Sequence, residues 1–596
     1  MATRAEHPIT PAGGEPGGGR SSGGAEIGGS EIGHRAAGGG AAGGSGESGG
    51  TGAGGAEIRG AGTGAGTDGA EIRGTGVGGA GIGGVDSGGA ESGGVESGGA
   101  EIGSKGLHSG VLGMATSLIL AVASAAPAYS LAATIAFVVA FVGFQAPSVV
   151  ILAFVPILFV SFGYAALNRR NPDCGTIFTW ASKSLGPRIG FMGGWAIIAS
   201  FILVMASLAQ VAGQYVLVLF GANGIAADPT SPWVLLVGLG WIALMTLICY
   251  RGIEVAAAVQ RALLFLEFLV LMIFSVVALV RVYSGHASVG ASSPKMSWFN
   301  PFDIASPSAF VSGLVLMLFI YWGWETALTV NEETKDRHRT PGRAATYSTM
   351  LLLGLYLLAT VATLSFAGIG ASGIGLNNPD NAGDVFSAVG AAVFGTSGFG
   401  AVLWHLLVLM ILSSAAASTE TTVLTLGRTV LSMGDHGAVP RAFARIHPRF
   451  SIPHVSTIAV GVAGGACYVV TNFLSHGQVI GDAVSSCGLL IAFYYGLTGL
   501  TSAWEYRTAW RASAADLWLR IVLPALGGLV LVAAGVWSLF NDWNPANSAT
   551  SWTLPVPPHW HIGGIFVIGV GAIVVGVLIM LIRQFSGAQF FATQRR

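Results

Sequence analysis

Charged side chains are scarce in this sequence of 596 residues. Only 10% of the residues are Asp, Glu, Lys or Arg, and 52% are hydrophobic, whereas soluble globular proteins carry about 25% charged residues. This deficit excludes an ordinary water-exposed surface and indicates an integral membrane protein. The mean hydropathy is +0.67 and the formal net charge is -1, so no excess of positive charge points to a nucleic acid partner.

Cysteine is also rare. The four cysteines form no CxxC pair, so neither a disulfide framework nor a zinc site is indicated, and we expect free thiols and no cofactor or metal. The loops contain no HExxH and no GxSxG motif, so the sequence offers no catalytic cluster for an enzyme. The four residues are Cys174, Cys249, Cys467 and Cys487.

The first 108 residues differ in composition from the rest of the chain. They contain no aromatic residue, and 41 of the 91 glycines occur by residue 106, in repeats such as "GGAEIGG" and "GGAEIRG". Such a segment cannot bury enough apolar area to offset the entropy lost on ordering. We therefore predict a flexible, Gly-rich cytoplasmic tail over residues 1–108.

From residue 110 onward, long apolar stretches follow one another. A membrane helix needs about 20 mostly apolar residues, and twelve stretches meet that requirement. The predicted spans are 112–141, 147–168, 189–220, 233–250, 255–283, 308–331, 345–367, 398–427, 454–474, 479–502, 519–540 and 562–583.

The orientation follows from the Lys and Arg residues of the connections, because cytoplasmic connections are enriched in these residues. Twenty lie in every second connection and at the carboxyl end, whereas the opposite connections hold only Arg281 and Lys295. This alternation predicts a multi-pass protein of the plasma (inner) membrane with both termini in the cytoplasm.

The first and sixth spans contain residues that disfavour a continuous membrane helix. Pro127 lies in the middle of "LILAVASAAPAYSLAATIAF", and proline removes one intrahelical hydrogen bond. Gly323 and Glu325 lie in "LMLFIYWGWETALTVNEET", and an ionisable group at that depth usually faces a cavity or a partner. Inverted-repeat transporters use unwound helices at matching positions, and the exposed helix ends and carbonyl groups would suit a zwitterion such as an amino acid.

Three stretches carry a resemblance to a known family. They are "NPDCGTIFTWASKSLGPRIGFMGGW", "FIYWGWETALTVNEETKDRHRTPGRA" and "SMGDHGAVPRAFARIHPRFSIPHVS". In this order and in these connections, they resemble the amino acid–polyamine–organocation superfamily, in particular its bacterial amino acid permeases. The likeness covers residues 110 to 505.

The resemblance implies an all-α membrane fold with about twelve helices and a five-plus-five inverted repeat. Helices one and six would be discontinuous, and two extra helices would follow. The implied divisions are 109–305 for the first repeat (spans one to five), 306–503 for the second (spans six to ten), and 504–596 for the last two spans and the carboxyl tail.

The resemblance also implies alternating access around a site between spans one and six. Backbone groups of Ser124, Ala125 and Ala126 would hold a substrate carboxylate, and carbonyl groups near Ile320, Tyr321 and Gly323 would hold the amine. Phe319 matches an aromatic gate, and Trp324 with Glu325 matches an aromatic–acidic pair. Many relatives have a Gly-rich break in span one where this chain has "SAAPAYS", which leaves open an amine substrate that lacks a carboxylate.

Three carboxylates lie inside predicted spans. Glu267 falls near the place in span five where some relatives have a titratable lysine, and Glu325 lies in span six. Desolvation disfavours the charged form of a buried carboxylate, so such a group can bind and release a proton. We expect proton coupling through Glu267 and Glu325, with a structural residue as the alternative for Glu267. For Glu420 we expect a pair with a nearby arginine, and Ser414 either lines an ion site or packs between helices.

The sequence therefore predicts a secondary active transporter of amino acids, with an amino acid or amine and H⁺ as its small partners and the lipid bilayer as its environment. A polyamine or simple amine permease is the alternative within transport. A transporter-like nutrient sensor is the alternative from a different functional class.

Overall fold

The computed structural model describes residues 105–592, apart from residues 382–384, 475–477, 512 and 556. The predicted Gly-rich tail therefore lies outside the described residues as far as residue 104. Residues 105–108, at the end of that predicted tail, are described and contact the helical part of the protein.

The described chain is mostly α-helical. A short antiparallel hairpin, β1 (Ser551–Thr553) with β2 (His561–Gly563), precedes the last long helix. The helices are α1 (Met114–Ser124), α2 (Pro127–Val142), α3 (Ala146–Arg170), α4 (Ile177–Ser184), α5 (Pro187–Leu219), α6 (Asn223–Ala226), α7 (Pro232–Tyr250), α8 (Ile253–Tyr283), α9 (Pro307–Ile320), α10 (Thr326–Thr329), α11 (Thr340–Ala367), α12 (Val385–Phe394), α13 (Gly398–Asp435), α14 (His454–Phe473), α15 (Val479–Glu505), α16 (Ala514–Asp516), α17 (Leu523–Asp542), α18 (Gly564–Phe585) and α19 (Gln589–Ala592).

Ten helical segments of the described chain are long and apolar enough to cross a membrane. This finding supports a multi-pass membrane protein. The segments are Met114–Arg170, Pro187–Leu219, Pro232–Tyr250, Ile253–Tyr283, Thr340–Ala367, Gly398–Asp435, His454–Phe473, Val479–Glu505, Ala514–Asp542 and Gly564–Phe585.

The difference between these ten segments and the twelve predicted spans arises in two places. The first and second predicted spans merge into the single segment Met114–Arg170, which contains α1, α2 and α3. The sixth predicted span is cut after Ile320, so α9 has only 14 residues and is too short to count. Twelve crossings and the inverted repeat therefore stay predictions.

The long helices expose apolar side chains on one face and bury polar ones on the other. In α8, Phe265, Leu269 and Val276 are each more than 45% exposed, whereas Gln260 and Glu267 are fully buried. This inside-out pattern suits a lipid environment, because polar groups in membrane helices face the protein interior.

The two interrupted helices lie inside the bundle. The α1 helix packs against α8, α11 and α13, while α2 packs against α9, and α10 contacts both α1 and α13. The ends of α1, α2, α9 and α10 are thus enclosed by long, continuous helices.

Candidate functional site

The first helix is interrupted where Pro127 indicated. The α1 helix ends at Ser124 and α2 begins at Pro127. Ala126, the residue before Pro127, takes a left-handed conformation with a φ of 46°, outside the right-handed helical region that is disfavoured before proline. The break therefore spans Ala125 and Ala126, two residues of the predicted site.

The second interruption separates α9 from α10 at residues 321–325. Gly323 has a φ of +106°, which side chains rarely adopt, and a Cβ atom there would lie 2.7 Å from the Ser124 carbonyl oxygen. The two breaks therefore meet directly at Ser124 and Gly323. Thr326 Oγ1 donates to Ser124 Oγ at 2.8 Å, which ties the start of α10 to the end of α1.

The backbone N–H groups around the first break are already used. The N–H groups of Ala125 and Ala126 donate within the turn to Val122 and Ala123, and that of Ser130 donates to Ala126. At the first turn of α2, Ala128 N donates to Glu267 and Tyr129 N donates to Ser414. Because Pro127 has no N–H group, every backbone donor from 125 to 130 has an acceptor. The acceptors of these bonds lie in Val122, Ala123, Ala126, Glu267 and Ser414.

Glu267 of α8 connects its own helix to α2 and α13 next to the first break. Its Oε1 atom accepts from Ala128 N of α2 at 2.8 Å and from Ser414 Oγ of α13 at 2.8 Å. The side chain is fully buried, and its Oε2 atom has no hydrogen-bond partner. The carboxyl group thus lies at the N-terminal end of α2, where the helix dipole favours negative charge.

Glu325 is the last residue of the second break and lies in a cluster of aromatic residues. Tyr494 and Tyr495 of α15 donate to its two carboxyl oxygens at 2.6 Å and 2.5 Å, and Gly323 N donates to Oε2 at 3.1 Å. Trp322 Nε1 donates to the Tyr494 hydroxyl. The carboxyl group therefore fixes the second break to α15.

The other residues of the predicted site surround these breaks. Ile320 O accepts from the Tyr356 hydroxyl at 2.5 Å, and the Tyr321 hydroxyl donates to Val150 O at 3.2 Å. Phe319 is half-buried, with its ring 6.0 Å from that of Trp322. Trp324 is fully buried, and its indole N–H has no acceptor.

A charged cluster lies at the end of the bundle that carries the first described residues. Lys105 Nζ contacts Asp173 Oδ2 at 2.9 Å and Glu332 Oε1 at 2.7 Å, and all three side chains are close to 90% buried. The polypeptide then runs alongside the segment after α10, where Leu112 N donates to Glu333 O at 3.0 Å. Lys105 therefore connects the start of the described chain to two distant loops.

Burial and charge oppose each other in the protonation of this cluster. Burial alone would raise the pKa of Asp173, but the Lys105 ammonium and the hydrogen bonds from Ser432 and Gly175 hold that pKa well below its ordinary value of 3.8. Burial alone would lower the pKa of Lys105, but Cys174, Asp173 and Glu332 raise it above its ordinary value of 10.5. The cluster is therefore charged across the physiological range.

The same cluster contains a set of potential metal ligands. One ligand atom from each of Asp173, Cys174 and Glu332 lies within 4.8 Å of the others. Lys105 Nζ contacts all three, with the Cys174 Sγ atom at 3.6 Å, and burial raises the pKa of the Cys174 thiol. Because the ammonium group occupies the position of a cation and the thiol stays protonated, this arrangement functions as an ion pair.

Arg428 and Glu333 form a second, fully buried ion pair next to this cluster. Arg428 Nε and Nη2 each lie 3.0 Å from a Glu333 oxygen, and both side chains are inaccessible to solvent. The expectation that Glu420 pairs with a nearby arginine is therefore wrong, because the arginine is used by Glu333.

Sequence reasoning did not identify two parts of this site. Tyr494 and Tyr495 were visible only as a tyrosine pair in an apolar stretch, and nothing in the sequence connects them to Glu325, which is about 170 positions away. Lys105 was included in the Gly-rich tail by its composition. An isolated lysine at the point where an apolar run begins was the only available signal.

The family is shown by comparison with known proteins. The profile of the amino acid permease family matches residues 111–570, which is most of the chain and includes both interrupted helices. The chain therefore belongs to this family, and it is a multi-pass membrane permease of the amino acid–polyamine–organocation superfamily.

Individual relatives differ in the solutes that their names specify. The low-affinity putrescine importer PlaP of Escherichia coli (strain K12) is 24% identical over 405 residues, which cover 65% of this chain and 80% of PlaP. The branched-chain amino acid permease BcaP of Lactococcus lactis subsp. cremoris is 25% identical over 381 residues, covering 60% of this chain and 75% of BcaP. The vacuolar cationic amino acid transporter 4 of Arabidopsis thaliana is 24% identical over 347 residues, which cover 55% of this chain and 52% of that transporter.

Proposed function

We propose that this permease is a secondary active, proton-coupled transporter of amino acids that works by alternating access, with both termini in the cytoplasm. The observation that carries the proposal is the direct meeting of two helix breaks at Ser124 and Gly323. Helix breaks at membrane depth are tolerated where they are buried in protein or line a cavity. Here two fully buried carboxyl groups lie at the breaks: Glu267 bonds the start of α2 after the first break, and Glu325 belongs to the second break.

The amino group of the substrate is the part that this backbone suits best. A carbonyl oxygen has two lone pairs, so a carbonyl that already accepts one hydrogen bond can accept another, whereas an N–H group donates once. The Ser124 carbonyl accepts only a long bond of 3.3 Å from Ser418 Oγ. We infer that the ammonium group binds between the carbonyl groups of the two breaks, close to Glu325.

Glu267 is the residue that we assign to proton coupling. As a carboxylate it accepts from Ala128 N and Ser414 Oγ through Oε1, while Oε2 has no partner. A proton on Oε2 would cancel the negative charge at the start of α2, and a buried charge is costly unless it is compensated. Protonation would therefore change how strongly α8 holds α2 and α13, the helices that flank the first break.

Glu325 is the second candidate for coupling. Its oxygens already accept from Tyr494, Tyr495 and Gly323 N, whereas the Oε2 atom of Glu267 has no partner. We therefore assign Glu325 mainly to substrate binding, as a hydrogen-bond acceptor near the ammonium group, and Glu267 to the proton.

The test is uptake into proteoliposomes by the purified full-length protein. Labelled leucine and putrescine are offered with and without an inward proton gradient. Glu267→Gln should abolish the response to the gradient but retain exchange of labelled for unlabelled substrate. Glu254→Gln is the matched control, because Glu254 lies exposed on the same helix. Wild-type uptake that ignores the gradient, or a gradient response that survives in Glu267→Gln, would refute this assignment.

A polyamine or simple amine is the second candidate substrate, and one observation favours it. The backbone donors that would hold a substrate carboxylate at the first break are all engaged, two of them by Glu267 and Ser414. An amine without a carboxylate needs no such donors. A thermal-shift comparison of putrescine with leucine separates the candidates, because only a bound ligand stabilises the folded protein.

A further inference from the structure

Glu420 of α13 is a buried carboxyl group that the proposed function does not use. Its side chain is fully buried, and neither carboxyl oxygen has a hydrogen-bond partner. It has no ion pair among the described residues, since Arg428, two turns further along α13, is bound by Glu333. Uncompensated ionised carboxylates are very costly in such surroundings.

The groups that surround Glu420 provide acceptors and little charge. Gln260 of α8 lies within hydrogen-bonding reach of the carboxyl group; one of its two amide N–H groups donates to Ala417 O at 2.8 Å, and its Oε1 atom has no partner. The titratable group from α7 is the Cys249 thiol, which donates to the backbone carbonyl of Glu420 at 3.4 Å. On α8 itself, Arg261 directly follows Gln260 and is exposed, and the buried carboxyl group of that helix is Glu267.

A proton on Glu420 would supply a donor for the unpaired Oε1 atom of Gln260. An ionised carboxylate can only accept hydrogen bonds, whereas a carboxylic acid also donates one. Glu420 and the Gln260 Oε1 atom are otherwise acceptors without a donor. The neutral acid is therefore the form of Glu420 that this packing accommodates.

Glu420 and Glu267 lie at different heights along the interface between α8 and α13. Gln260 and Glu267 are seven residues apart on α8, which is nearly two turns, so they share a face at a separation of about 10 Å. On α13, Ser414 bonds Glu267, and Glu420 follows six residues later, about 9 Å along the axis. Beyond it lies the Arg428–Glu333 pair, near the end of the bundle that holds Lys105.

We propose that Glu420 is a second proton-binding residue, and that it relays protons between Glu267 and the Arg428 end of the seam between α8 and α13. The inference rests on the proposed proton coupling through Glu267. In the relay step the O–H bond of the Glu420 acid breaks and one forms at the Glu267 carboxylate. The total charge of the pair is unchanged, and water entering between α8 and α13 bridges the gap.

The first test measures protonation without any substrate. Infrared spectra of the purified full-length protein in liposomes are recorded over a pH series in H₂O and D₂O. We expect an isotope-sensitive carboxylic acid band at neutral pH that is lost in Glu420→Gln and retained in Glu254→Gln. An unchanged band in Glu420→Gln, or a carboxylate at Glu420 that responds to Na⁺ instead of pH, would overturn the proposal. If Glu420→Gln folds poorly, the wild-type spectrum still tests the proposal, because a wild-type protein without the acid band at neutral pH contradicts it. Glu420→Asp provides a second variant, which keeps a carboxyl group at this position.

The second test separates the relay from the coupling itself. With putrescine and leucine as probes, Glu420→Gln should reduce gradient-driven uptake about a hundredfold, the lower end of what a positioned proton-transfer group contributes. Exchange of labelled for unlabelled probe should stay within about twofold of wild type, because exchange requires no net proton release. Coupled uptake in Glu420→Gln that matches wild type overturns the relay alone. A wild-type protein that ignores the gradient overturns the coupling and the relay together.

Discussion

Replacing Lys105 with methionine tests whether the start of the described chain is held by its charge. Lys105, Asp173 and Glu332 have side chains that are 10%, 12% and 9% exposed. Methionine retains the apolar stem and removes the ammonium group, which leaves two largely buried carboxylates without their cation. Breaking a buried ion pair in this way costs about 3–5 kcal/mol, and the residual exposure places this cluster near the low end of that range.

The assay is the midpoint of thermal unfolding of the purified full-length protein in detergent. About 3 kcal/mol corresponds to a decrease of roughly 3 °C for a chain of this size. Lys183→Met is the matched control, because Lys183 is exposed, and a substitution of this kind usually changes stability by less than about 0.5 kcal/mol.

A rescue variant shows whether the loss arises from the unpaired carboxylates. Asp173 uses Oδ1 to accept from Gly175 N, Thr179 and Ser432, and Oδ2 to contact Lys105. Asparagine keeps Oδ1, so Lys105→Met with Asp173→Asn and Glu332→Gln should regain most of the lost stability. A triple variant as unstable as Lys105→Met, or a Lys105→Met variant with the wild-type midpoint, would refute the reasoning.

The ion pairs of Lys105 with Asp173 and Glu332 also predict a pH dependence of stability. The pKa of Asp173 is lowered and that of Lys105 is raised. The stabilisation by these pairs should therefore be complete between about pH 4 and pH 10 and decline outside that range. The difference in unfolding midpoint between wild type and Lys105→Met should therefore shrink as the pH falls below 3.8. Gly323→Ala should abolish uptake at normal expression, because the strained backbone alone costs about 1–3 kcal/mol. Tyr495→Phe should weaken substrate binding by about 1–3 kcal/mol, measured as a dissociation constant, because one donor to Glu325 is lost. Arg428→Met should lower stability by about 3–5 kcal/mol, and adding Glu333→Met should restore it.

The sequence located the helices and both interruptions well, because each depends on local chemistry. Runs of apolar residues predict membrane helices wherever they occur, and proline followed the first break while glycine occupied the second. Pro127 and Gly323 act through their own backbone geometry, so their effects are visible in a single sequence.

The partners of the buried charges were not predictable in the same way. Glu325 is bonded by tyrosines 169 and 170 positions away, and Arg428, eight positions after Glu420 on α13, is bonded by Glu333. Hydrogen-bond partners across a bundle depend on the rotation and register of helices far apart in the chain. The composition of a single stretch contains no information about that register, which is why Ser414 stayed ambiguous between an ion site and a packing residue.

The buried polar groups of α13 contact different partners at successive heights along the helix axis, and we call each such set of contacts a layer. Ser414 bonds Glu267, Thr425 contacts Thr326 of α10 at 2.9 Å, Arg428 bonds Glu333, and Ser432 bonds Asp173. Each layer connects α13 to a different element, and each would leave a buried polar group unpaired if α13 shifted along its axis by one turn. A movement of the kind that the proposed alternating access involves would therefore have to exchange several of these bonds together, and α13 would change between a small number of discrete arrangements instead of sliding continuously. Two stable arrangements of this kind are what alternating access requires.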